Sequence, residues 1–170
     1  MLDRPSLDPQ DTPPVAEARR LVRRFEAATL PRAAWTHEAH VRVGLWYLLD
    51  EGFPGAVDRM RRNIRRYNRI TGRTRHERSA YHETITVYFL WIIDRWRRAN
   101  AFPRGPCARN VLFRRLEGAP ILETGRILRH YSGDQLFAPA ARERFVPPDR
   151  SRLPRTFARY LESVTRKAVA

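Results

Sequence analysis

"YHETITVYFLWII", residues 81–93, carries the reading of the fold. From Val87 to Ile93 the run is apolar, the composition of a buried helix, and it ends at Asp94 and Arg95. Ser79 and a few good helix formers would suffice to start such a helix. The chain instead places Tyr81, His82 and Glu83 there. A second apolar helix opens in a related way: "WTHEAHVRVGLWYLL", residues 35–49, has Thr36 as a good N-cap and His37 and His40 in its first turn.

Working outward, Val15, Ala18, Leu21, Val22, Phe25 and Ala28 recur at helical spacing, which predicts a first helix over 15–30 that Pro31 ends. The second helix runs from Thr36 to about Glu51, where Gly52 stops it. A third covers about 55–71, with Val57, Met60, Ile64, Tyr67 and Ile70 on one stripe and Gly72 at its close. The fourth covers about 80–99, capped by Ser79. Pro103, Gly105 and Pro106 mark a break, after which shorter helices are expected at 107–117 and 120–131. A surface-wrapping stretch with one short helical piece follows, then a last helix from Arg155. Strand signals are scarce. The expectation is an all-α fold, a four-helix bundle core with additional short C-terminal helices. Residues 1–14, with four prolines and no periodicity, form a flexible arm, and 15–170 form one helical domain.

Composition bounds the function. The chain has 170 residues, 42% hydrophobic and 30% charged, as ordinary globular proteins do. No apolar stretch has the length of a membrane span, and the N-terminal sequence lacks a signal-peptide core, so a cytoplasmic location is expected. The single Cys107 excludes an internal disulfide and a thiolate zinc cluster. The net charge of +15 is almost all arginine, since Lys167 is the only lysine, a bias that a GC-rich genome would produce. Such a charge still attracts anions.

The two helix starts define a candidate site. Consecutive helices joined by short loops pack antiparallel, so the second and fourth run parallel and begin at the same end of the bundle. His37, His40, Gly44 and Leu48 share one helix face, and Thr86 lies below Glu83 and His82. Gly44 costs about 1 kcal/mol relative to alanine inside a helix and leaves room for a neighbouring helix or a ligand. Two imidazoles three residues apart, with a third from another helix, suit a divalent metal. The expected ligands are His37, His40 and His82, for Zn, Fe, Ni or Mn. Glu83 and Tyr81 would serve as acid or base, with Thr86 and Tyr81 orienting water or substrate. The structural alternative assigns these residues to capping and to core hydrogen bonds. His76 would cover the site as a lid, His130 would act as a charge at a helix end, and Asp134 and Asp149 would be turn residues.

Arg62, Arg65, Arg66, Arg69 and Arg73 make a basic stripe on the third helix. It is either a solvated face, a guide for an acidic substrate or a set of phosphate contacts to nucleic acid. Helix-turn-helix spacing, an aromatic RNA platform and zinc-finger cysteines are missing.

"WTHEAHVRVGLWYLL", "RRYN", "YHETIT" and "HYSGDQLFAPAARERFVPPDRSRLP" resemble a family of small bacterial helical proteins. The resemblance spans about residues 25–154 and implies a shared helical fold without naming a reaction. More loosely, histidines on two bundle helices are similar to the DinB/YfiT-like metal-binding bundles. This chain has an early H-x-x-H and a single later His82 where those have a late H-x-x-x-H pair.

The reading is a metal-dependent or His/Glu-based enzyme acting on a small anionic substrate at one end of the bundle. Hydrolytic, eliminating and oxygen-dependent chemistry all fit it. The alternative is a basic helical module that binds nucleic acid or an acidic partner, and a third is a non-catalytic subunit whose polar cluster rigidifies the fold. No membrane partner is expected, and the exposed aromatic content favours a homodimer.

Overall fold

A computed structural model describes residues 13–72, 80–100 and 108–152, together with Phe157. The fold is all-α, and among the described residues there is no strand. Helix α1 spans Pro13–Glu26, and α2 spans His37–Ile70 with a break at Gly52. Helix α3 spans Glu83–Asn100 and α4 spans Ala108–Arg115. The short helices α5, Gly133–Phe137, and α6, Pro139–Glu143, follow two 3₁₀ turns at Pro120–Leu122 and Thr124–Arg129.

Each long element forms for a local reason. Val15, Ala18, Val22 and Phe25 bury one stripe of α1. Thr36 caps α2, its hydroxyl accepting from the Ala39 amide at 3.2 Å. Gly52 has φ +69° and ψ −174°, which glycine adopts without strain, and it divides α2 into 37–51 and 53–70. Pro54 then stands in the first turn of the second half, where its missing N–H costs nothing.

The halves fold back on each other. Arg59 reaches Glu51 across the break at 2.7 Å, and Met60 lies beside Gly44. Helix α3 packs along the first half in parallel: an added Cβ at Gly44 would stand 3.0 Å from Ile93 and 3.1 Å from Leu90. The space Gly44 leaves is therefore taken by a neighbouring helix. Glu26, at the end of α1, accepts from Tyr47 at 2.8 Å and from Arg59 Nε at 2.9 Å, tying α1 to both halves.

Some boundaries differ from expectation. The 120–131 stretch forms 3₁₀ turns, not an α-helix, with Pro120 at the start of one and Gly125 inside the other. The wrapping stretch holds two short helices, α5 and α6. Ile70, assigned to the buried stripe, is 52% exposed because it sits in the final turn of α2. The Ser79 cap, the His76 lid, Arg73, Cys107, nearly all of the N-terminal arm and, Phe157 apart, the last helix lie outside the described residues. None of the described helices is long and apolar enough to cross a membrane.

Candidate active site at the shared pole of α2 and α3

The starts of α2 and α3 meet around a cavity of about 330 Å³. His37 and His40 line it from α2, and Tyr81, His82 and Thr86 line it from the start of α3. Trp35, Met60, Ile64, Phe89, Leu90 and Ile93 supply much of the apolar wall. Five of the six expected site residues thus share one cavity. The sixth, Glu83, stands behind it.

Every polar residue of the hexapeptide 81–86 has an assigned partner. The Tyr81 hydroxyl donates to Glu83 Oε2 at 2.5 Å. His82 Nε2 donates to the Leu136 carbonyl at 2.8 Å, and its Nδ1 receives a long bond from the Ile85 amide at 3.4 Å, in the manner of an N-cap. Glu83, 4% exposed, accepts from Arg61 Nε at 3.0 and 3.1 Å and from Arg61 Nη2. Arg61 also donates to Asp58 at 3.0 Å. Thr84 is fully buried and donates to the Ala141 carbonyl at 2.8 Å, while its oxygen accepts from the Val146 amide at 3.1 Å. Thr86 donates back to the His82 carbonyl at 2.8 Å.

The histidines of α2 behave differently. His40 packs on Trp35 with ring centres 3.8 Å apart and directs Nδ1 to the Thr36 carbonyl at 2.6 Å. Trp35 in turn stacks on Phe25 at 3.9 Å, so the cavity wall rests on α1. His37 stands edge-on to Phe89 at 4.7 Å, and its buried Nε2 has no hydrogen-bond partner. Asn68 Oδ1, Tyr88 Oη and Trp91 Nε1 share that condition, but their residues do not line the cavity.

Burial sets the titration of these groups. The His37 imidazole falls below its ordinary 6.5 because burial penalises the cation, a hydrogen bond to the Ile121 backbone opposing the shift. His82 falls for the same first reason, against the opposing hydrogen bond to Leu136. Tyr81 is pushed well up, first by burial and then by the charge of Glu83. It is a fixed donor to Glu83, not a ready base.

Among the described residues, no group of three or more His, Cys, Asp or Glu side chains is placed to hold a metal ion. His37 and His40 turn against different rings, Phe89 and Trp35. His82 could ligate through Nε2 only by releasing the Leu136 carbonyl.

Periodicity and motif spacing gave no sign of Arg61, Thr84, Trp35 or Phe89 in these roles. Trp35, an aromatic just ahead of the Thr36 cap, was the one readable hint, since a hydrophobic residue there often packs back on its helix. The basic stripe is exposed at Arg62, Arg65, Arg66 and Arg69. Arg65 lies over the Tyr81 ring at 4.6 Å, and Arg66 donates to the Glu26 carbonyl. His130 bonds Ser151 at 2.5 Å, and Asp149 accepts from the Ser132 amide at 2.8 Å, a contact between residues 17 apart in sequence and not within one turn. Comparison with protein-family models, curated proteins and solved structures finds no match to this chain.

Proposed function

We propose that the cavity is the active site of a His-based enzyme acting on a small substrate, with His37 as the acid–base group. One observation carries this reading: a neutral imidazole lines a cavity with its Nε2 buried and unpaired. Leaving such an atom unsatisfied costs about 1–3 kcal/mol, and a ligand group that shares a proton with it would recover that cost. Burial holds His37 neutral near pH 7, ready to accept a proton. Phe89 stands edge-on to this imidazole at 4.7 Å, an apolar neighbour beside which the substrate would bind. His40 anchors the substrate, and Thr86 offers its hydroxyl oxygen. Glu83 acts at one remove, by fixing Tyr81.

In the metal-assisted version, His37, His40 and His82 would be the residues to hold a divalent ion, which would supply an activated water. Elemental analysis of the purified protein beside His82→Ala decides between the versions.

The direct test is a panel of small aryl and alkyl esters and amides, with binding followed by tryptophan emission and turnover by product release. The expected result is saturable binding and turnover, with turnover lost in His37→Gln and activity rising with pH up to about 6.5. Binding without turnover of any panel member would overturn the enzymatic part. A second reading, contact with nucleic acid, draws on the exposed Arg62, Arg65 and Arg69. It requires salt-dependent retention on DNA that Arg65 and Arg69 substitutions abolish and His37→Gln does not.

A further inference from the structure

We propose that the cavity takes an amphiphilic carboxylic acid, its apolar body inside and its carboxylate on the guanidinium of Arg65 at the Tyr81 rim. This rests on the reading of the cavity as a small-molecule site and names the class of molecule.

The interior asks for an apolar body. Trp35, Met60, Ile64, Leu90 and Ile93 line it, while the polar groups in its wall are largely committed to the protein. Tyr81 donates to Glu83, His82 to Leu136 and Thr86 to the His82 carbonyl, and His40 Nδ1 is engaged with Thr36. At 330 Å³ the space equals that of roughly ten waters at ~30 Å³ each. A single ring with a short side chain fills it.

The rim asks for an acid. Arg59 is neutralised by Glu26 and Glu51, and Arg61 by Glu83 and Asp58. Arg65, one helical turn beyond Arg61, is exposed and pairs with no carboxylate among the described residues. Its guanidinium lies over the Tyr81 ring at 4.6 Å, and that ring also lines the cavity. The bond from Tyr81 to Glu83 prevents the ring from swinging away. Stacking commits the face of the guanidinium and leaves its in-plane N–H groups free, the geometry that grips a planar carboxylate with two parallel bonds. The N-termini of α2 and α3 add positive potential at the same pole.

The probes are 3-phenylpropanoate, its neutral amide, and 2-phenylethylphosphonate, titrated against the full chain with the change in tryptophan emission as readout, Trp35 being the tryptophan in the cavity wall. The acid is expected to bind about tenfold more tightly than the amide, as a charge-assisted pair would give. Arg65→Met should bring the acid down to the affinity of the amide, while Arg62→Met, on the same exposed helix, should leave it unchanged. Far-UV circular dichroism checks that both variants fold. Equal affinity for acid and amide in the wild type, an acid preference that survives Arg65→Met, or tightest binding of the phosphonate would each overturn the inference. If acid and amide bind equally and Val41→Phe, which enlarges a side chain of the cavity wall, abolishes both while far-UV circular dichroism shows a folded chain, the small-molecule site stands and only the acid preference falls. If neither binds, the reading of the cavity falls as well.

Discussion

Replacing Gly44 with alanine sets two opposing effects against each other at the contact between α2 and α3. Alanine is about 1 kcal/mol more favourable than glycine within a helix. Against that, the new Cβ would lie 3.0 Å from Ile93 Cδ1 and 3.1 Å from Leu90 Cδ2, while Met60 Cε at 3.7 Å is in ordinary contact. Both tight neighbours must yield by a few tenths of an ångström. In a filled core such overpacking costs about 1–3 kcal/mol. Leu90 and Ile93, however, border the cavity and can turn their tips into it. The expected net change is therefore between zero and about 1 kcal/mol of added stability, or up to roughly 4 °C in Tm for a chain of this size. Urea unfolding followed by tryptophan emission and by far-UV circular dichroism measures it. Ile93→Val removes the closer of the two methyls, so Gly44→Ala in that background should realise nearly the whole helix-propensity gain, and the double mutant should be non-additive in that direction. A loss of about 2 kcal/mol or more from Gly44→Ala alone would show that the two side chains have nowhere to go. The cavity would then not be a space into which they can yield.

Arg61→Met strips the buried Glu83 of its cation and should cost about 3–5 kcal/mol, whereas Glu83→Gln leaves Arg61 with Asp58 and partial exposure and should cost roughly 1–2 kcal/mol. Equal losses in urea unfolding would mean that water screens the pair. His37, His82 and His130 all have folded-state values held below 6.5, in each case first by burial, so the unfolded chain binds more protons. The stability they contribute is present above about pH 6.5 and is lost as pH falls from there through the folded-state values; denaturant midpoints that stay flat across this window would contradict the assignment. Thr84→Val keeps the shape but deprives the Ala141 carbonyl and the Val146 amide of their partner, at a cost of about 1–3 kcal/mol. Limited proteolysis should then cut the 133–146 segment faster, and an unchanged cutting rate would show that Thr84 does not hold it.

The fold was legible because its signals are local. Helical spacing, the Thr36 cap and the breaking glycine at Gly52 each act within a few residues, so the chain itself fixes where the long helices start and stop. Short connections between them then put the histidines of α2 and the YHETIT stretch at one pole, and the cavity lies there. The partners were not legible, because a hydrogen bond between residues far apart in sequence leaves no period or spacing to read. The sequence placed His82 in the site, and only packing shows its Nε2 turned to Leu136, 54 residues on. Glu83 looked like an acid–base group until Arg61, 22 residues earlier, was found on both of its oxygens. Local chemistry determined which residues arrive at the pole, and tertiary contacts decided which of them keep an unpaired atom there, His37 above all.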